Sequence, residues 1–253
     1  MTQSGMTAEI HVFRSNIARL GFVLGIVASL AAVSAGLGNR FGWWSYRDAF
    51  AVMPWIVYSG IAAGVVSLFG VAANMKFSHK LTVMALIGLV LGVTVVWIPY
   101  QVREALRASP RLSDITTDTA NPPAFITALE LRKKSKATNP TVYTPEKAAL
   151  QAINYPDIKP VILSLPPEQA FDKALAAMNG RGLIITSTDR ATGRIEAYDQ
   201  SFWFGFIDDM VVRISATPTA SRVDIRSSSR VGIRDAGMNA KRIVKLVAAL
   251  TAK

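Results

Sequence analysis

The segment Arg222-Val223-Asp224-Ile225-Arg226-Ser227-Ser228-Ser229-Arg230 decides the fold of the polar half of this chain. Polar and apolar residues alternate in it, and a β-strand sends successive side chains to opposite faces. Val223 and Ile225 therefore point to a core, while Arg222, Asp224, Arg226, Ser228 and Arg230 point away. The same alternation runs through Asp209–Ala216, where Arg213 shares the face of Val211, and through Arg194–Tyr198, where Arg194, Glu196 and Tyr198 oppose Ile195 and Ala197. Val161–Leu165 and Leu183–Ser187 read as two further strands. Pro166-Pro167-Glu168 opens a helix whose Phe171, Ala174, Leu175 and Met178 recur at helical spacing, and Gly180 and Gly182 end it. A last helix from about Asn239 to Ala252 buries Ile243, Leu246, Val247 and Leu250. The order β-α-β-β-β-β-α with short turns predicts a two-layer α+β domain over 159–253, a mainly antiparallel sheet with both helices on one face. The other face is expected to be open and rich in arginine.

Upstream the pattern is different. The chain has 253 residues, 28 Lys and Arg against 17 Asp and Glu, and a formal charge of +11. Its first 100 residues hold six basic and two acidic groups, and residues 101–253 hold 22 and 15. Leu20–Leu37, Phe50–Ala73 and Leu81–Pro99 are uncharged runs of 18, 24 and 19 residues. A spanning helix needs about 20 residues at 1.5 Å each to cross a hydrocarbon core of ~30 Å. Trp43, Trp44 and Tyr46 precede the second run, and Trp97 and Tyr100 close the third, as interfacial rings do. Residues 1–105 are thus a three-span transmembrane anchor preceding the α+β domain. Each run carries two glycines four apart: Gly21 and Gly25, Gly60 and Gly64, Gly88 and Gly92. Such pairs allow close backbone approach, within a tight bundle or between copies in a homo-oligomer. Transport is disfavoured, because no ionisable side chain lies inside a run. Positive flanks do not fix the orientation: Arg14, Arg19, Lys76 and Lys80 stand on one side, Arg40, Arg47, Arg103, Arg107 and Arg111 on the other.

Between the halves, residues 106–158 read as a Pro-rich, basic linker and opening segment. It holds Arg132-Lys133-Lys134-Ser135-Lys136, and a short helix after Thr144 as N-cap with Pro145 at its first position.

The absences are informative. There is no cysteine, and the two histidines, His11 and His79, lie in or beside the membrane half. Thiol chemistry, imidazole catalysis in the polar half and zinc sites of the usual types are excluded or unsupported. No phosphate-binding glycine loop is present, and no cofactor, metal or catalytic residue is assigned. Asp199, Asp208 and Asp209 form a candidate acidic cluster, but neighbouring Asp208 and Asp209 on a strand face opposite ways, which disfavours a shared cation. The aromatic segment Ser201-Phe202-Trp203-Phe204-Gly205-Phe206 has two readings, a loop touching bilayer or ligand, or one folded back onto the core.

Several stretches together resemble domain-of-unknown-function family 1499. They are Ile195-Glu196-Ala197, Phe206-Ile207-Asp208-Asp209, Val223–Gly232, Asp235-Ala236-Gly237-Met238-Asn239-Ala240-Lys241-Arg242-Ile243, and the opening Leu112–Asp118 with Asn121-Pro122-Pro123-Ala124-Phe125. The resemblance covers about residues 110–250. It implies a domain in the bacterial envelope or a lumen, outside the cytoplasmic membrane, with no assigned activity. Some members carry a cysteine motif in the opening segment, and this chain departs from them there.

The expectation is a multi-pass inner-membrane protein, not an enzyme, with its C-terminal domain in the periplasm. Candidate residues for an anion or partner are Arg213, Arg222, Arg226, Arg230, Asp235 and Asn239. The alternative for the arginines is a solvated face neutralised by Asp224 and Glu196, and for Asp235 and Asn239 a helix cap. The expected partners are the membrane and an anionic lipid, glycan or envelope protein; nucleic acid is not expected. The competing function is an envelope hydrolase or transferase acting on a phosphate-bearing or glycan substrate through Asp208, Asp209 and the arginines.

Overall fold

The computed structural model describes residues 3–252, with side chains from Glu9 onward. In chain order the elements are α1 (Gln3–Arg40), α2 (Tyr46–Asn74), α3 (His79–Ala108), β1 (Asp114–Thr116), α4 (Thr127–Lys134), α5 (Pro145–Asn154), β2 (Val161–Leu163), α6 (Pro167–Gly180), β3 (Ile184–Asp189), β4 (Arg194–Gln200), β5 (Ile207–Ala216), β6 (Ser221–Ser229) and α7 (Met238–Thr251). The chain divides into two units at Glu104/Ala105, and Phe202–Gly205 joins the first.

The second unit is built on a six-stranded antiparallel sheet in the order β1-β6-β5-β4-β3, with β2 also paired to β6. Register places Ile195, Val212 and Ile225 side by side, flanked by Met210 and Val223. On this face lie Ala170, Phe171, Ala174 and Met178 of α6 and Ile243, Leu246 and Leu250 of α7, all buried. Both helices therefore cover one face, as the alternation requires.

The opposite face is not open. Residues 106–158, read as a linker, contribute β1 to the sheet edge, where Asp114 pairs with Ser228 and Thr116 with Arg226. Phe125 and Ala128 of the same segment pack against Val211 on the second face. The two-layer expectation thus gains a partial third layer. A core-facing Ile115 flanked by two polar residues gave β1 too short a pattern to read. Thr144 does cap α5, accepting the Lys147 N–H, with Pro145 in the first turn.

In the first unit, α1, α2 and α3 are each long and apolar enough to cross a bilayer. Ser45 and Asp48 start α2 through a reciprocal capping box. The glycines are used within the bundle. A Cβ on Gly88 would lie 2.5 Å from Ser67 Oγ and 2.7 Å from Gly21 O; one on Gly92 would lie 2.7 Å from Gly60 O and Gly64 N. One on Gly25 would lie 2.9 Å from Gly88 O. These helices touch backbone to backbone, which a side chain at those positions prevents. Asn74 adds a polar tie, its amide donating to Arg14 O at 2.9 Å and Gly70 O at 2.9 Å.

The aromatic segment belongs to this unit. Asn39 donates to Phe204 O at 2.6 Å, the Trp203 indole donates to Val33 O at 3.2 Å, and the Phe204 and Phe50 rings sit 5.3 Å apart. It neither lies free nor folds onto the sheet core.

Packing this tight is specific to position. Gly88→Ala and Gly92→Ala are each expected to destabilise the full chain in mild detergent by about 1–3 kcal/mol. Gly64→Ala, whose Cβ meets nothing nearer than 4.0 Å, should leave the thermal midpoint unchanged. Equal effects at all three positions would contradict the intrachain role.

Candidate functional site

β6 and the residue just past its end carry the arginines of both the alternating pattern and the family-like motif, and each is matched by a carboxylate. Arg226 donates to both oxygens of Asp114, at 2.9 and 2.8 Å, and also to Pro123 O and Thr141 O. Their side chains are 4% and 3% exposed. The Phe125 ring lies 4.9 Å from the Arg226 guanidinium, so an apolar residue of the opening segment also shields the pair. Lys147 reaches Asp114 from α5 at 2.9 Å.

Just past the end of β6, Arg230 makes 2.7 and 3.0 Å contacts to the two oxygens of Asp209, and Arg132 of α4 meets the same carboxylate at 2.8 Å. Burial draws the Arg132 guanidinium below its ordinary range, against the pull of Asp209 and Asp114. At the other end of β6, Arg213 and Arg222 share Asp118 and Asp224, with contacts of 2.8–3.1 Å. Arg222 is the most accessible of these arginines, with its side chain 38% exposed.

Glu196 completes the second face. It is fully buried, and its carboxylate accepts the backbone N–H groups of Ile126, Thr127 and Ala128 at 2.8–3.1 Å. Helix α4 has no side-chain cap of its own, so a strand residue 70 positions from Ile126 supplies one. An anion at a helix start satisfies orphan donors there. Bonding of this kind is not legible from sequence spacing.

A second polar cluster sits on the helix-covered face at the start of α7. Arg242 donates to Asp199 and Asp208 at 2.9 and 2.8 Å, and to Ser227 Oγ and Asn239 Oδ1 at 3.1 and 2.9 Å. Asn239 also donates to Ser229 Oγ and Ser113 O. Asp235 accepts from Gly237 N and Asn239 N at 2.9 and 2.7 Å, so it caps the helix. Burial, and secondarily Asp208, raise the Asp235 carboxyl above its ordinary value. Burial likewise raises the phenols of Tyr143 and Tyr155.

The expected site residues are therefore divided. Arg226, Arg230, Asp235 and Asn239 are engaged internally, and the expected open arginine face is covered by the opening segment. Arg213 and Arg222 lie nearer the surface, bonded to Asp118 and Asp224. Asp199 and Asp208 meet through Arg242 on one face, whereas Asp209 turns to the other. Among the described residues no cluster of three metal-ligating side chains occurs. Arg132, Arg242, Asp114 and Asp118 escape sequence reasoning as partners because separations of 34 to 112 residues hide the pairing.

Span-length helices joined to an antiparallel α+β domain with internally neutralised arginines define a membrane-anchored domain protein. The family model described as "Protein of unknown function (DUF1499)" matches residues 114–250, more than half of the chain, and the protein belongs to that family. No curated protein matches the chain.

Removing one partner of a buried pair leaves its charge uncompensated. Asp209→Asn, which orphans both Arg132 and Arg230, should cost the full chain about 3–5 kcal/mol in denaturant unfolding. Arg222→Gln removes a partly exposed side chain and leaves Asp118 and Asp224 paired with Arg213, so it should cost no more than about 1 kcal/mol; equal losses would mean the buried pairs have no special weight. Asp235 adds a pH signature. A carboxyl raised by folding stabilises the folded state below its unfolded value of 3.8, and that contribution is lost as pH rises through the folded value. The stability of Asp235→Asn relative to the parent chain should therefore improve as pH rises from about 3.5 to neutrality. A difference in thermal midpoint that does not change with pH would refute the assignment.

Proposed function

We propose that this protein is a non-enzymatic inner-membrane protein whose polar domain stands on the periplasmic side and holds an anionic envelope component or a partner protein. The observation that carries this reading is the destination of the domain's acidic groups. Asp114, Asp118, Asp199, Asp208, Asp209, Asp224 and Glu196 are paired with the domain's own arginines. Residues 101–253 carry 22 basic groups against 15 acidic ones. These acids and the arginines paired with them cancel, so the domain's remaining charge is its basic excess, and a positive domain tethered to a membrane attracts anionic surfaces. The recognising groups are then the exposed cations, not the buried Arg226 and Arg230.

Catalysis has less support. Asp208 and Asp209 face opposite sides of the sheet, and each is held by arginine. Three spans put the two ends of the chain on opposite sides of the bilayer. The periplasmic side for the domain is the one that the family resemblance implies.

A cysteine-free chain makes both points testable. Thr251→Cys lies on the exposed side of α7, whereas Ser135 bonds to Arg230 and is a poor probe position. In intact cells this cysteine should react with a membrane-impermeant maleimide that enters the periplasm. Protection until lysis would put the domain in the cytoplasm and overturn the reading. The purified full chain in neutral nanodiscs should also capture anionic vesicles at low salt and release them as salt rises; equal capture of zwitterionic vesicles would remove the anionic partner.

A further inference from the structure

One cavity in the polar domain is not explained by the arginine network. It is a groove of about 760 Å3 along α7, walled by the end of α3, by the segment Asn154–Ile158 and by the first turns of α7. That volume falls within the range of small-ligand sites, roughly 300–1,000 Å3. Its floor is apolar, formed by Ala105, Ala108, Ile158, Ala240 and Val244. Lys241 and Lys245 project from successive turns on the same side of α7 and line it too. Both are exposed, and among the described residues neither side chain has a hydrogen-bond or ion-pair partner.

This contrasts with Arg226, Arg230 and Arg242, which are each bonded to aspartate. Arg234, close by in sequence, is also engaged. It donates to the Leu106 and Arg107 carbonyls at 3.4 Å and so fixes the end of α3 that walls the groove. Asp157 is the acid lining the groove, set against two lysines. Unpaired cations above an apolar floor are complementary to an amphiphile with an anionic head. In the sequence, Ala105 of the groove follows Tyr100, the ring that closes the third span, by five residues.

We infer that this groove binds one anionic phospholipid from the bilayer, its phosphate on Lys241 and Lys245 and the upper part of its acyl region along Val244, Ala240 and Ala108. The inference rests on the reading that the domain recognises an anionic component, and it names that component and its site. Lysine suits such a site, since it presents a mobile point charge to a headgroup, whereas the arginines in their fixed forks serve the internal carboxylates.

The test uses the full chain in a neutral detergent, titrated with phosphatidylglycerol, phosphatidylcholine or inorganic phosphate while thermal unfolding is followed. Phosphatidylglycerol should raise the midpoint of the parent chain and phosphatidylcholine should not. The double variant Lys241→Gln/Lys245→Gln should need about tenfold more phosphatidylglycerol for the same shift. The double variant Lys241→Arg/Lys245→Arg should restore the response, and Lys133→Gln/Lys134→Gln/Lys136→Gln should retain it. If the groove variant responds like the parent while the 133–136 variant fails, the groove assignment is overturned and the broader anionic reading stands. If the parent does not distinguish the two lipids, both are overturned. An equal shift with inorganic phosphate would overturn the lipid and leave a simple anion site.

Discussion

The pairing of Asp114 with Arg226 is the constraint from which the polar domain is organised. It joins positions 112 residues apart, and both side chains are almost fully buried. Neither charge is tolerable there without the other, because an isolated buried ion forfeits several kcal/mol of hydration. The pair holds β1 against β6 and brings Phe125 under the guanidinium. Lys147 and the Thr141 carbonyl complete its shell, which draws in the approach to α5 as well. Gln151 then takes the place of a further strand, its amide exchanging bonds with the backbone of Thr116. A segment rich in proline and charge thereby becomes part of a fold, and its Leu112 and Ile115 join the core.

The same pairing changes what the family-like motif means. An arginine whose N–H groups already reach a carboxylate and two carbonyls has little left to offer a ligand. The recurring arginines and aspartates are explained as the internal fastening of the opening segment to the sheet, and at α7 as the fastening of a helix start. On the reading proposed above, recognition falls to cations outside this network, the lysines that it leaves unpaired. Buried ion pairs of this kind often add little net stability over apolar packing, but they penalise any misregistered arrangement severely.

Much of the fold was legible in the sequence. Period-two alternation located β4, β5 and β6 and assigned each side chain to its face, and helical spacing located α6 and α7. The three spans followed from uncharged length. What lay outside reach was long-range and polar. Alternation at Arg222–Arg230 shows that these side chains leave the core, but not whether water or protein receives them. The answer depends on Asp114 and Asp118, which sit before a proline-rich stretch that resembles a linker in composition. Glu196 shows the same limit, since a lone acid on a strand gives no sign of the helix start that it caps. The glycine pairs were visible as contact points, yet only geometry separates Gly92, closed in by backbone, from Gly64, which has room beside it.

The four residues Phe202–Gly205 set a practical limit on dissecting the molecule. They are the tip of the β4–β5 connection, yet their bonds run to Val33 and Asn39, and the Phe204 ring stacks near Phe50. A chain shortened to begin at Ala105 keeps this tip and loses all three neighbours. It would newly present the Trp203 indole and the Phe204 ring to water, beside a Phe202 that is already exposed. Such a tip is adhesive, and self-association of the shortened protein would reflect the cut rather than the biology. The natural boundary of the polar domain is therefore not a single point in the chain.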